Sequence, residues 1–374
     1  MGMAYALLGT YPPTQCGLAS FSAALVAHLR RPGNHVGVVR VVDEPSPSRL
    51  PEVVHDLVRG SAPSATAAVQ VLSGFDVVIV QHEYGIYSGP DGADIVGLLA
   101  ALRGPSIVVL HTVLARPTPR QRTILIDIID AASAVVTMTE TARERLLHIY
   151  GTDPAKVSVI PHGSADHMTA AAPRPKNAGP TALTWGLLGP GKGIEYAVDA
   201  IALLKNLGLR VGYLVAGQTH PRVQARDGEA YRRSLQDRTR SLHIGDLVRF
   251  DSRFLPAGAL SRVISAADIV LLPYDSREQV TSGVLIEAVA AGKPVVSTSF
   301  PHAVELLADG AGILVRRRDP IGIADAVTRL LTEPGLAASM SRRSAEIAPG
   351  LLWPSVANSY RELAARLVSR EARL

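Results

Sequence analysis

The stretch Gln279–Thr298, QVTSGVLIEAVAAGKPVVST, decides the fold. It reads as a loop, a helix opening near Ser282 and Gly283, a Gly292-Lys293-Pro294 stop, and a buried strand at Val295-Val296. In an open α/β sheet, a loop that runs into a helix presents unpaired backbone N–H groups to an anion. Glu287 stands one turn inside that helix, among apolar neighbours. A carboxylate buried there without a partner is costly. An anion at the helix tip and a carboxylate deeper in suit a nucleotide, with diphosphate on the N–H groups and ribose hydroxyls on the carboxylate. A lone helical glutamate is more often solvated or ion-paired, so the rest of the chain has to carry the functional reading.

Outward from that stretch, short apolar runs alternate with helical patterns, as in parallel βαβ units. In the first half, strands are expected at Tyr5–Gly9, His35–Val41, Val77–Gln81, Ser106–Leu110, Ala134–Met138 and Val157–Ile160. Helices are expected at Ser20–Leu29, Ala93–Leu102, Pro119–Ala132 and Thr141–Ile149, while Asp43–Ser64, rich in Pro and Ser, reads as loop with at most one short helix. Ala170–Pro180 has linker composition. The pattern then restarts, with strands at Ala182–Leu187, Arg210–Gly217, Leu247–Asp251, Ile269–Pro273, Pro294–Thr298 and Ala311–Val315. Helices follow at Asp319–Leu331 and at about Pro354–Arg370. The expectation is two α/β domains with a cleft between them.

Composition agrees. A chain of 374 residues exceeds one ordinary core. Aromatic residues make up only 5%, which argues against base-stacking nucleic-acid platforms. The single cysteine, Cys16, excludes an internal disulfide framework and a thiolate metal site and points to a reducing cytoplasm. The opening MGMAYALLGTYPP reads as a first strand rather than a signal peptide, and no run reaches membrane-span length. Net charge is −2 over residues 1–170 and +7 over residues 171–374, so an anionic ligand suits the second half. Individual basic pairs such as Arg232-Arg233 and Arg316–Arg318 read as solvated surface. The Pro117–Ala132 segment, with Arg116, Arg120 and Arg122, could touch a membrane but reads first as an amphipathic helix over the sheet.

Open parallel sheets bind ligands at the carboxyl ends of their strands. Gly17 follows the first strand and precedes a helix; a close backbone approach and a simple tight turn fit it equally. Gln81-His82-Glu83-Tyr84-Gly85 and His111-Thr112 follow neighbouring strands, so His82 and His111 converge. No compact metal-ligand spacing accompanies them. In the second half, Gly186–Gly193 (GLLGPGKG) places Lys192 in a glycine-rich loop without the Lys-Ser/Thr ending of a Walker A motif. Gly217–Pro221 and Leu272–Asp275 end two further strands. This convergence of loops moves Glu287 from surface residue to site candidate.

At this point the chain resembles the retaining glycosyltransferases of family 4, which have the GT-B fold. The likeness rests on Gly186–Ile201, Gly217–Val223, Asp227–Leu235 and Ser282–Thr298, and extends over nearly the whole chain. Thr10–Phe21 and Gln81–Gly89 look like a bacterial subgroup often found beside glycosidase-like proteins. The resemblance implies two doubly wound, Rossmann-like domains facing each other across a cleft. An acceptor-side domain would span residues 1–170 and a nucleotide-sugar domain 181–350, with a helix at 351–374 that could cross back to the first. It implies a nucleotide-diphosphate sugar as co-substrate, no other cofactor, and no required metal. Lys192 would hold the diphosphate and Glu287 the ribose, with His111 near the transferred sugar; these three are the catalytic candidates. The donor side would further include Gly17, Gly189, Gly191, His220, Glu278, Gln279, Ser282, Gly283, Val284 and Leu285. His82, Glu83 and Tyr84 would lie on the acceptor side.

Two departures stand out. Gln279, beside Glu278, occupies the place of the first glutamate of the family's paired-glutamate motif, and Leu187 stands where an arginine is expected. Arg222 or Arg253 could substitute for that arginine. The expected activity is metal-independent, retaining transfer of a hexose, with a lean to mannose by subgroup analogy, onto a sugar or glycolipid-type acceptor. A GT-B epimerase, a phosphorylase, and a nucleotide-binding regulator without turnover are the rival readings. No nucleic-acid partner is expected, and oligomeric state is open.

Overall fold

Apolar runs set the strands of this protein, and the computed structural model describes them over residues 2–45, 50–168 and 179–371. In chain order the first elements are β1 (Ala4–Gly9), α1 (Gly17–Leu29), β2 (His35–Val42), β3 (Val53–Val58), α2 (Ala62–Leu72) and β4 (Val77–His82). There follow α3 (Asp94–Ala101), β5 (Ser106–Leu110), α4 (Pro119–Ala131), β6 (Ala134–Thr137), α5 (Glu140–Tyr150) and β7 (Val157–Val159). The second series runs β8 (Thr181–Trp185), α6 (Ile194–Asn206), β9 (Gly212–Ala216), α7 (Pro221–Asp227), α8 (Ala230–Ser241), β10 (Val248–Asp251) and α9 (Ala257–Ala266). It continues β11 (Ile269–Leu272), α10 (Gly283–Ala290), β12 (Val295–Thr298), α11 (Pro301–Leu307), β13 (Gly312–Val315), α12 (Pro320–Thr332) and α13 (Leu336–Leu351), and α14 (Trp353–Glu371) closes the chain.

These elements form two units, Met1–Gly163 with Trp353–Leu374, and Ser164–Leu352. The first holds a parallel sheet in the order β3-β2-β1-β4-β5-β6-β7, the second one in the order β10-β9-β8-β11-β12-β13. Strand order reverses beside β1 in the first sheet and beside β8 in the second, the places where doubly wound sheets open toward ligands. The central strands β4 and β5 are buried along their whole length, because helices cover both faces of a parallel sheet. In the first unit, Phe21, Leu25 and Leu29 of α1 share a core with Val356, Ala357 and Tyr360 of α14. Each such buried aliphatic side chain contributes about 1.5–3 kcal/mol. In the second unit, α6 and α12 pack Ile194, Val198, Ile201, Ile323 and Val327 onto β8 and β9.

The expected loop Asp43–Ser64 is corrected: it contains β3, and α2 begins within it. An edge strand has little to bury, and in β3 only Leu57 does so, which leaves no continuous apolar run to read. Ser61 caps α2 by accepting from Ser64 N–H, and Pro63 sits in its first turn. The amphipathic reading of Pro119–Ala132 holds: α4 buries Ile124, Leu125, Ile128 and Ile129. Residues 170–178 of the expected linker lie outside the described residues. No helix among the described residues is long and apolar enough to cross a membrane.

Candidate functional site

In the second unit, loops leaving β8, β9 and β11 are joined backbone to backbone. Leu188 N–H donates to Gln218 O at 2.9 Å, His220 N–H to Leu188 O at 2.7 Å, and Asp275 N–H to Gly191 O at 2.9 Å. Two glycines make this approach possible. A Cβ on Gly217 (φ +135°) would lie 2.0 Å from Gly186 O, and one on Gly193 (φ +64°) 1.9 Å from Pro273 O. From behind, Arg232 Nη2 donates to Gly217 O at 2.8 Å, while Nε and Thr219 Oγ1 both donate to Glu229 Oε2, at 2.9 and 2.6 Å. Arg232 is only 6% exposed, so its reading as solvated surface is corrected: it is an internal brace of the loop that ends β9. Arg318, exposed as expected, pairs with Asp275.

On this platform Lys192 places its Nζ 4.2 Å from the centroid of the Tyr274 ring and has no carboxylate partner among the described residues. Gly189 and Gly191 precede it in the loop. His220 caps α7, Nδ1 accepting from Arg222 N–H at 3.2 Å; burial, Arg222 and Lys192 all hold its pKa below the usual value. At the tip of α10, Ser282 N–H donates to His302 Nδ1 at 2.8 Å, and Leu285 N–H to Ser282 Oγ at 3.2 Å. Two of the amides at this helix tip, those of Ser282 and Leu285, are therefore taken within the protein. Those of Gly283 and Val284 remain without an acceptor among the described residues, as the first N–H groups of a helix do. Gln279 uses its side-chain Nε2–H on Thr281 O at 3.1 Å, within the loop that also carries Glu278. Of the two arginines considered as substitutes at Leu187, Arg253 is held by Asp251 in a double contact, and Arg222 is exposed in the first turn of α7.

Glu287 is part-buried on α10, and its Oε2 accepts from Trp185 Nε1–H at 2.9 Å. Burial pushes its carboxyl up to about 7, against the opposing pull of the indole hydrogen bond. The folded state thus holds this proton more tightly than the unfolded chain. The resulting stabilisation is full below about 4.5, the ordinary value, and is lost as pH rises through about 7. Glu287→Gln is expected to raise ligand-free stability at pH 8 by on the order of 2 kcal/mol, once partial solvent access is allowed for. The gain should vanish near pH 5; unfolding midpoints recorded across that range check it, and a pH-independent difference would contradict it.

The first unit gathers a second set. Gly17 opens α1 behind the Cys16 cap, and a Cβ there would meet nothing within 4 Å, so packing does not demand glycine at this position. His111 Nε2 lies 2.6 Å from Gln81 Oε1, and its ring stands edge-on to Phe21 at 5.0 Å. Burial first, then His162 and His82, push its pKa down to about 3, so the ring is neutral near pH 7. His82 is the last residue of β4, beside the β5 end that His111 follows, but it is 0% exposed and both ring nitrogens lack partners among the described residues. It lies inside the first unit, 5.3 Å from the Tyr84 ring. Glu83 receives Tyr84 N–H at 3.0 Å and the Thr112 hydroxyl. Among the described residues no three His, Cys, Asp or Glu side chains gather as a metal site.

Trp185, His302 and Arg232 were not legible as site residues. Their partners lie 102, 20 and 15 residues away in sequence. The available signal is a tryptophan immediately before a glycine-rich loop.

Two family models match end to end: "Glycosyltransferase Family 4" over residues 16–164 and "Glycosyl transferases group 1" over residues 170–347. The D-inositol 3-phosphate glycosyltransferase of Actinosynnema mirum is 31% identical over 261 residues, 65% of this chain and 60% of that protein. That of Kineococcus radiotolerans is 31% identical over 272 residues, 66% and 60% of the two chains. The chain thus spans about 60% of the length of these curated relatives. Among solved structures, sucrose-phosphate synthase from Thermosynechococcus elongatus has a TM-score of 0.79 at 19% identity, covering 98% of this chain and 100% of that one. Anabaena HepE in complex with UDP and glucose has a TM-score of 0.75 at 17% identity, with the same coverage. These structural likenesses show the fold, two Rossmann-like α/β domains of GT-B type. By both family models and both halves of its fold, the chain belongs to the family 4 glycosyltransferases.

Proposed function

We propose that the protein is a retaining glycosyltransferase that moves a hexosyl group from a nucleoside-diphosphate sugar to a carbohydrate-type hydroxyl, without a required metal. The observation that carries this reading is a set of unsatisfied groups on one end of the second sheet. They are the Lys192 ammonium, the Gly283 and Val284 amides and Glu287 Oε1. They match a diphosphate and a ribose. A uridine nucleotide is favoured over guanosine, because HepE carries UDP and glucose; nothing in the comparisons favours mannose. The names of the relatives, D-inositol 3-phosphate glycosyltransferase and sucrose-phosphate synthase, favour a polyol or sugar phosphate as acceptor. The acceptor is assigned to the first unit, beside Glu83, Tyr84 and the neutral His111. A cytoplasmic setting remains part of the proposal.

In the reaction proposed, the bond from the sugar C1 to the diphosphate oxygen breaks. The acceptor oxygen bonds to C1 on the same face, and its proton passes to the departing diphosphate. The protein positions the partners and stabilises the leaving-group charge. Calorimetric titration with UDP, GDP and ADP, followed by transfer assays with the matching sugar nucleotides, tests this. Selective binding of UDP, weakened about tenfold in Glu287→Ala, is expected; unchanged binding in that variant would remove Glu287 from the site. A second reading, nucleotide binding without turnover, has Gln279 in its favour, since its amide is engaged within its own loop. Binding with neither transfer nor donor hydrolysis would establish it.

A further inference from the structure

Trp185 is the last residue of β8, and its side chain is 4% exposed within the core that also holds Leu183, Leu285 and Ile286. Packing explains the ring, but not its polar atom: a phenylalanine would fill a strand end without one. The indole nitrogen instead reaches across to α10 and donates to Glu287 Oε2 at 2.9 Å. Glu287 Oε1 has no donor among the described residues. An indole N–H is a donor only, with a single hydrogen to give, whereas an ionised carboxylate accepts on both oxygens. Trp185 can therefore occupy one oxygen and leaves the other open.

We propose that Trp185 is a positioning residue whose indole N–H fixes one oxygen of Glu287 and turns the other toward the paired hydroxyls of a nucleotide ribose. This rests on the assignment of Glu287 to the ribose. The fixed geometry spares the carboxyl a rotamer search on binding, as pre-organised sites do. The same hydrogen bond opposes the burial that otherwise favours protonation. Packed against α10, α13 carries Arg342, Arg343 and Glu346, and His302 of α11 holds the Ser282 amide at the helix tip. The displaced ionisation of Glu287 comes from burial and the indole alone. Losing the indole should thus leave a carboxyl that is looser and protonated to higher pH, where it donates one hydrogen bond and accepts less well.

The test compares UDP with 2′-deoxy-UDP, by calorimetry at pH 6, 7, 8 and 9, on the wild type, Trp185→Phe and Glu287→Gln. In Trp185→Phe, UDP affinity should fall about tenfold at pH 7 and recover only in part at pH 9, where the charge returns but the fixed orientation does not. Its preference for UDP over the deoxy ligand should shrink in parallel. Equal weakening toward both ligands at every pH would reduce Trp185 to a packing residue and overturn the proposal. If Glu287→Gln leaves UDP affinity and the 2′-hydroxyl preference unchanged, the ribose assignment itself fails, a result distinct from the first. A measurement without ligand guards against a poorly folded variant. The chain has two tryptophans, so Trp353→Phe makes Trp185 the only indole reporter. Its emission should titrate with a midpoint near 7, the value to which burial moves Glu287, and the titration should vanish on adding Glu287→Gln. Emission that titrates identically with and without Glu287→Gln, or not at all, overturns the proposal.

Discussion

Lys192→Ala is expected to lower kcat/KM for the sugar nucleotide about 100- to 1,000-fold, the usual cost of losing one charge-stabilising donor at a reacting centre. Stability should change little. In the free protein the ammonium rests on the Tyr274 ring, 4.2 Å from its centroid. A contact of that kind contributes about 0.5–2 kcal/mol, and no carboxylate is left unpaired by its loss. When the diphosphate departs, however, its new charge develops beside this loop in the proposed reaction, and only a cation there follows that change. The loss should therefore appear mainly in kcat. Steady-state kinetics together with an unfolding midpoint decide the matter. A raised KM with unchanged kcat would assign Lys192 to ground-state binding alone, and unaltered kinetics would remove it from the site.

Gly217→Ala should be among the most damaging single methyls in the second unit. The added carbon would lie 2.0 Å from Gly186 O, at a φ of +135° that side chains rarely adopt. Both obstacles are backbone, so no rotamer relieves them. A cost of at least about 4 kcal/mol follows from combined clash and strain, or an unfolding midpoint roughly 10 °C lower for a unit of this size. The loop after β9 would have to part from the loop after β8, so nucleotide affinity should fall with stability. Gly208→Ala is the control. Its φ of +81° is left-handed too, but nothing lies within 4 Å of the new carbon, and it should cost only about 1–2 kcal/mol. Similar midpoints for the two variants would show that the loops part easily.

The strands were legible because a parallel strand covered on both faces is an unbroken apolar run; Ser106–Leu110 has the same bounds in sequence and structure. β3 was not, since an edge strand with one buried residue lacks that signature. In the site, Lys192 and Glu287 stood out as charges set among glycines or apolar residues. The ring of Trp185 reads as core because it is core, and only its nitrogen has a further role. Nor could sequence show which amides at the tip of α10 are taken, because the acceptor, His302 Nδ1, arrives from the next helix. Arg232 misled for a related reason: a charge next to another charge reads as surface, whereas its guanidinium turns inward to carbonyl and carboxylate partners.

α14 joins the first unit after the whole of the second has intervened. On a ribosome, residues 164–352 emerge as an uninterrupted folding unit, whereas the core around Phe21, Leu25 and Leu29 waits for Val356, Ala357 and Tyr360. Domains complete themselves as their last residues appear. Of these two units the one begun first is thus the one completed second, and until α14 emerges its α1 face is an open apolar surface for chaperones to cover.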